Sequence, residues 1–226
     1  MSTRPIIRLT QAEFRHEFLA GEVLAMTRAS RNHNLITVNV AAALSEQLRR
    51  RQSEVYASDM RVKISPPRLY AYPDVIVVCG TPRFEDDVND TLLNPTILIE
   101  VLSKSTEAYD RGLKFELYRG LESLQELILI AQSKRHLKHY RRQSGNRWIL
   151  TETNDPAGSI VLESITTQLT VAQIYLKVAL DLPTSAEYEG YFETVASLTA
   201  SGFTSRCPGT LHQIDQGRPS PEDEQR

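Results

Sequence analysis

Residues 95–102 read PTILIEVL, and this short run decides most of what the chain can be. A nearly unbroken apolar segment rich in β-branched residues, opened by Pro95 and closed by Ser103, is the pattern of a central strand covered on both faces. Period-two geometry places Thr96, Leu98, Glu100 and Leu102 on one side and Ile97, Ile99 and Val101 on the other. Glu100 is the anomaly in this run. A carboxylate inside such a strand costs several kcal/mol unless it is paired, hydrogen-bonded or bound to a metal.

Working upstream, residues 74–79 read DVIVVC between Pro73 and Gly80, a second buried strand with an acid at its first position. Two carboxylates at element ends, Asp74 and Glu100, can converge on one point. Such a pair suits Mg²⁺, which prefers oxygen donors and takes one or two carboxylates together with water and substrate phosphate. The residues alone leave another reading open, in which Glu100 pairs with an arginine and Pro73-Asp74 is a turn.

Around these strands the chain reads as follows. Gln11 to Leu19 is an amphipathic start, and Glu22 to Met26 a short strand after the Gly21 turn. From His33 to Arg51, the residues Ile36, Val40, Leu44 and Leu48 recur every fourth position, which predicts a helix with one buried stripe, capped by Ser30 or Asn32. Val55–Ser58 and Met60–Ile64 are strand candidates. A helix is expected from about Glu107 to Leu121, then a strand over Glu126–Ala131. Arg135–Arg142 and Arg147–Thr151 form a hairpin about the Ser144-Gly145-Asn146 turn. Ile160–Leu162 is a last strand and Val171–Val178 a short helix. The expected body is a mixed α/β (α+β) sandwich with one sheet flanked by helices. It occupies residues 1–183, followed by a polar, acidic tail over 184–226 that cannot bury much apolar surface.

Composition narrows the function classes. With 226 residues and 41% hydrophobic content, the chain can build one ordinary domain core. Its longest apolar runs are too short to span a bilayer, and its beginning carries no secretory pattern. Two cysteines, Cys79 and Cys207, lack any metal or disulfide spacing and suit a reducing cytoplasm. The net charge of −2 hides an asymmetry. Residues 1–150 hold 22 Lys/Arg against 17 Asp/Glu, a balance of +5, whereas residues 151–226 hold 4 against 11, a balance of −7. A basic body is compatible with a polyanionic partner, as it is with an ordinary solvated surface.

Pro73-Asp74 followed by Glu100-Val101-Leu102 resembles the motif of the PD-(D/E)XK nucleases, with Leu102 standing where that motif has its lysine. The surrounding text, YPDVIVVCG and NPTILIEVLSKSTEAYDRGLKFELYRGLESLQELILIAQ, is similar to the Uma-two family within that superfamily. The likeness runs through HYRR, the Gly145–Trp148 turn and strand, and LTVAQIY, over about residues 10–180. It implies a restriction-endonuclease-like fold: a mixed central sheet flanked by helices, with added antiparallel strands. It also implies a Mg²⁺-dependent endonuclease acting on DNA, with Mn²⁺ as substitute, Asp74 and Glu100 as metal ligands, and Lys114 as the displaced lysine. Helical geometry permits the displacement, since Asp110 and Lys114 flank the stripe of Leu113 and Leu117. The same two residues also make an ordinary surface pair worth about 0.2–0.5 kcal/mol.

Secondary candidates are Glu22, His33 and Gln132 as residues lining the site. Each has a structural alternative: a turn residue, a helix-start hydrogen bonder and a strand end. Ser103 and Ser105 read as helix caps, since no G-x-S-x-G or partnered histidine accompanies them. In KRHLKHYRRQSGNR, Lys134, Arg135, Lys138 and Arg141 can lie along a phosphate backbone or simply solvate a hairpin edge. The reading competing with an enzyme is a non-catalytic nucleic-acid- or protein-binding module on the same sheet. A homodimer is compatible with either, because one site nicks one strand, and no membrane partner is expected.

Overall fold

The structure is a computed structural model, and it describes residues 16–19, 22–25, 29–64, 69–102 and 115–180. All of these fall within one compact unit, Met1–Asp181. Their elements run β1 (His16–Leu19), β2 (Glu22–Ala25), α1 (Arg31–Leu48), β3 (Ser53–Ala57), β4 (Arg61–Ile64), β5 (Leu69–Ala71), β6 (Val75–Cys79) and β7 (Thr91–Leu92). Then follow β8 (Ile97–Leu102), α2 (Phe115–Tyr118), β9 (Glu126–Ala131), β10 (Leu137–Gln143), β11 (Arg147–Thr153), β12 (Ser159–Leu162), β13 (Thr167–Thr170) and α3 (Val171–Ile174).

The central sheet has the order β11-β10-β9-β8-β6-β3. Its middle pair, β8 and β9, is parallel, and the other neighbours are antiparallel. Every residue of β8 and β9 is buried, which explains why both read as continuous apolar runs. The single sheet expected from the sequence is joined by two others among the described residues. One is five-stranded, β2-β1-β5-β4-β7, and one is the β12–β13 hairpin. Both were hidden because β5, β7 and β13 have only three, two and four residues, too few for a periodic signal. The end of the expected amphipathic start is likewise a strand, β1, since His16–Leu19 pairs with β2 from His16↔Ala25 to Leu19↔Glu22.

Each face of the central sheet has its own core. On one face, Ile36, Val40, Leu44 and Leu48 of α1 pack with Val75, Val77, Ile97, Ile99, Ile128 and Ile130, and with Ile160, Leu162 and Leu169 of the β12–β13 hairpin. On the other, Ile76, Val78, Leu98, Leu102, Leu127 and Leu129 meet Val62 and Ile64 of the second sheet, together with Tyr118, Leu121 and Leu124. Helix α1 begins where Ser30 accepts a hydrogen bond from the His33 amide at 3.1 Å, and it stops at Leu48, before the basic run. The turn between β10 and β11 needs a left-handed residue, which Gly145 supplies at φ 71°. From β10, Arg142 donates to the carbonyls of Leu124, Leu121 and Arg119, each at 2.7 Å. Its guanidinium lies 4.7 Å from the Trp148 ring, so one side chain fixes the passage from α2 into β9.

Candidate active site at the strand ends

The β6–β8 ladder pairs Val75 with Ile99 and Ile76 with Leu98. Asp74 immediately precedes that ladder, and Glu100 immediately follows Ile99 on the neighbouring strand. Glu100 shares its face with Leu98 and Leu102 and is 5% exposed. The Asp74 side chain is 13% exposed. Its Oδ2 accepts from the Val101 amide at 2.7 Å, so the start of β6 is pinned to β8 by the carboxylate itself. Its Oδ1 lies 3.2 Å from Nε2 of His33, two residues into α1. On the other face, Tyr118 of α2 donates its hydroxyl to Glu100 Oε1 at 2.6 Å, and Tyr118 is fully buried.

Gln132, just past β9, anchors the start of α1 to these strands. Its Oε1 accepts from the Ser30 hydroxyl, its carbonyl accepts from Asn32 Nδ2 at 3.3 Å, and its amide donates to the Leu102 carbonyl at 3.3 Å. Tyr175 stabilises the turn after β9 by hydrogen-bonding the carbonyls of Ala131 and Lys134 at 2.8 and 2.9 Å. Burial pushes its hydroxyl pKa up to about 12, so it remains a donor at any physiological pH.

Of the residues singled out in the sequence, Asp74, Glu100, His33 and Gln132 meet at one end of the central sheet, where β6 begins and β8 and β9 end. Lys114, with Asp110, Ser103 and Ser105, lies outside the described residues. Glu22 opens β2 opposite Leu19 in the five-stranded sheet, and its side chain is not among those described. Lys134 and Arg135 are exposed in the turn that follows Gln132. Lys138 is 2.7 Å from Glu152, and Arg141 is paired with Glu163, so each of these two cations has an acid beside it.

Tyr118 is the site residue that sequence reasoning passed over. Its signal was present: a tyrosine on a buried helix needs a partner for its hydroxyl, and a buried acid on the preceding strand needs a donor. Ser30 and Asn32, considered only as caps, also tie the helix to the strand ends.

The donor set suits a small hard cation. Asp74 and Glu100 offer carboxylate oxygens on adjacent strands, and no group of three His, Cys, Asp or Glu gathers among the described residues. Two carboxylates are what Mg²⁺ commonly takes, the remaining positions going to water and phosphate. A zinc site, by contrast, wants three or four imidazole or thiolate ligands.

Comparison with known proteins bears on the family and the fold. Residues 5–178 match the model of the Uma2 family, described as "Putative restriction endonuclease". Two relatives from Synechocystis sp. (strain ATCC 27184 / PCC 6803 / Kazusa) are similar. "Uncharacterized protein sll1609" is 39% identical over 145 residues, 64% of this chain and 82% of the relative. "Uncharacterized protein slr1290" is 32% identical over 161 residues, 71% of this chain and 83% of the relative. Among solved structures, a "putative nuclease belonging to DUF820" from Anabaena variabilis ATCC 29413 superposes with a TM-score of 0.62 at 15% identity. The match covers 77% of this chain and 97% of that one, a likeness of fold.

Proposed function

The chain belongs to the Uma2 family of restriction-endonuclease-like proteins, and on that premise we propose that it is a divalent-metal-dependent endonuclease hydrolysing phosphodiester bonds of DNA. The observation that carries this reading is the β6–β8 pairing, which puts Asp74, just before β6, and the nearly buried Glu100 on neighbouring segments, with the Val101 amide donating to the Asp74 carboxylate at 2.7 Å. Two carboxylates on neighbouring segments offer the oxygen donors that a small divalent cation takes.

Asp74 and Glu100 would hold Mg²⁺, with Mn²⁺ as a substitute, and the ion would supply Lewis-acid polarisation of the phosphate and activation of water. The protein's own groups supply the rest. The Val101 amide and His33 fix the Asp74 carboxylate, so its lone pairs are oriented before substrate arrives. Lys114 orients the attacking water or offsets charge on the pentacovalent phosphate. Lys134 and Arg135, exposed beside Gln132, contact the DNA backbone, where phosphate contacts give affinity without sequence choice. A cytoplasmic location and a homodimer that cuts both strands are consistent with this chemistry. Among the described residues no helix is long and apolar enough to cross a membrane.

The test is paired. Mn²⁺ binding and nicking of supercoiled DNA are measured on the full chain and on Asp74→Ala, and both are expected to vanish together in the variant. DNA binding with no cleavage under any divalent metal would instead mark a binding module that has kept the sheet and lost turnover.

A further inference from the structure

We propose that Tyr118 is a positioning residue for the metal-binding carboxylate, its hydroxyl setting the orientation in which Glu100 meets the cation. The inference rests on the reading of Asp74 and Glu100 as the cation site. It adds a residue on a different element, on the opposite side from the one that holds Asp74.

The two carboxylates are restrained by unlike means. Asp74 has a short side chain at a strand start, and a backbone amide and a helix-borne ring hold its two oxygens. Glu100 has one more rotatable bond and lies near the end of β8, where Leu98 and Leu102 share its face and Leu129 stands beside it on β9. Apolar neighbours restrict the volume a carboxylate can sweep without choosing the plane of its oxygens. The Tyr118 hydroxyl constrains that plane, because a 2.6 Å hydrogen bond to Oε1 is directional.

The tyrosine is itself immobile. It is fully buried in the core formed with Leu121, Leu124 and Leu127. Phe115, three residues earlier in α2, stacks on Tyr140 of β10 with ring centroids 4.2 Å apart, which holds the same helical turn against the sheet. The hydroxyl is therefore a fixed point to which a flexible ligand is tied. Outer partners that orient metal ligands typically change affinity about ten- to a hundredfold when removed.

The full chain, Tyr118→Phe and Tyr140→Leu are titrated with Mn²⁺ by calorimetry, with thermal midpoints measured alongside. Tyr118→Phe keeps the ring and removes only the donor, and its Mn²⁺ dissociation constant is expected to rise about ten- to a hundredfold. Tyr140→Leu loosens the same helix through its aromatic contact without touching the carboxylate, and its dissociation constant is expected to stay within about twofold of the parent, below the range for a lost ligand partner. Equal affinities in the parent and Tyr118→Phe, or equal losses in both variants, would overturn the proposal. If Tyr118→Phe does not fold, the Tyr118 hydroxyl proton of the parent decides. Its resonance must shift when Mg²⁺ loads Glu100, and an unmoved resonance would reject the role. A parent chain that binds no Mn²⁺ is a separate outcome, in which the cation site itself fails.

Discussion

Glu100 and Glu126 stand on neighbouring parallel strands, each an acid inside an apolar run, and each is almost wholly removed from solvent. The protein treats them differently. Glu126 is 0% exposed and lies on the α1 face of the sheet, at the beginning of β9. Its carboxylate meets His139 Nε2 through Oε2 and accepts from the Ser164 amide at 2.8 Å through Oε1. It thereby ties β9, β10 and the segment between β12 and β13 together. Glu100 lies on the opposite face, near the end of β8, where it accepts from a tyrosine. The bonds of Glu126 tie three segments of the fold together, whereas the tyrosine bond of Glu100 ties a strand to a helix at the end of the sheet where Asp74 stands. Burial of a carboxylate therefore does not by itself mark a functional site; where its partners stand in the fold distinguishes the two.

The largest expected effect breaks the functional half of this contrast. Glu100→Gln should lower nicking by more than about a hundredfold, beyond the range seen when an outer partner of a ligand is removed. In chelator its unfolding free energy should change by less than about 1 kcal/mol, because the amide keeps an oxygen to accept from Tyr118. A large loss of stability in urea denaturation would show that Glu100 is a structural pin like Glu126.

Next in size, Glu126→Ala should lose about 3–5 kcal/mol of stability, the usual cost of removing one member of a buried pair. Mn²⁺ affinity of the folded fraction should be unchanged. A variant that keeps its stability and loses metal would exchange the two roles.

The same pin gives a pH prediction. Burial alone would raise the Glu126 pKa, but hydrogen bonds from His139 and Ser164 outweigh it and hold the pKa below its ordinary 4.5. A carboxylate depressed in the folded state contributes stability that is fully present above its unfolded value and is lost as pH falls through its folded value. The stability difference between the parent and Glu126→Gln should therefore be constant at neutral pH and shrink below about pH 4.5. Chemical denaturation at several pH values checks it, and a difference that grows on acidification contradicts the assignment.

Arg142→Ala should cost about 2–3 kcal/mol, since it strips charge-assisted hydrogen bonds from three carbonyls and a cation from Trp148. Smallest of all, Lys138→Ala should change stability by about 0–1 kcal/mol, the range for a pair lying near the surface. Paired Lys134→Ala and Arg135→Ala substitutions should reduce the salt dependence of DNA binding by roughly one unit of slope each. Lys138→Ala should do so less, because Glu152 already occupies it.

How much of this was readable in advance follows from what each feature depends on. The strands β6, β8 and β9 and the helix α1 announce themselves because burial on both faces, or on one stripe, leaves a periodic apolar pattern. Glu100 stood out because it interrupts such a pattern. Glu126 did not, because it is the first residue of its run and looks like a strand boundary. Tyr118 was missed because its role depends on a residue 18 positions away. The five-stranded sheet was missed because it is assembled from pieces shorter than any periodicity can register.

For this protein, then, the order of the amino acids by itself determined the long elements, the cost of an acid at position 100 and the pairing of that acid with Asp74 as candidate ligands. Only tertiary structure decided that β6 runs antiparallel to β8, so that both acids fall at the same end of the sheet. It also decided that Ser30 and Gln132 bind the start of α1 to the strand ends, and that Glu126 closes on His139 while Glu100 closes on Tyr118. The physical reason is range. Propensity and burial are written in residues a few positions apart, whereas the partner that satisfies a buried charge is chosen by which distant segment the folded chain brings within hydrogen-bonding distance.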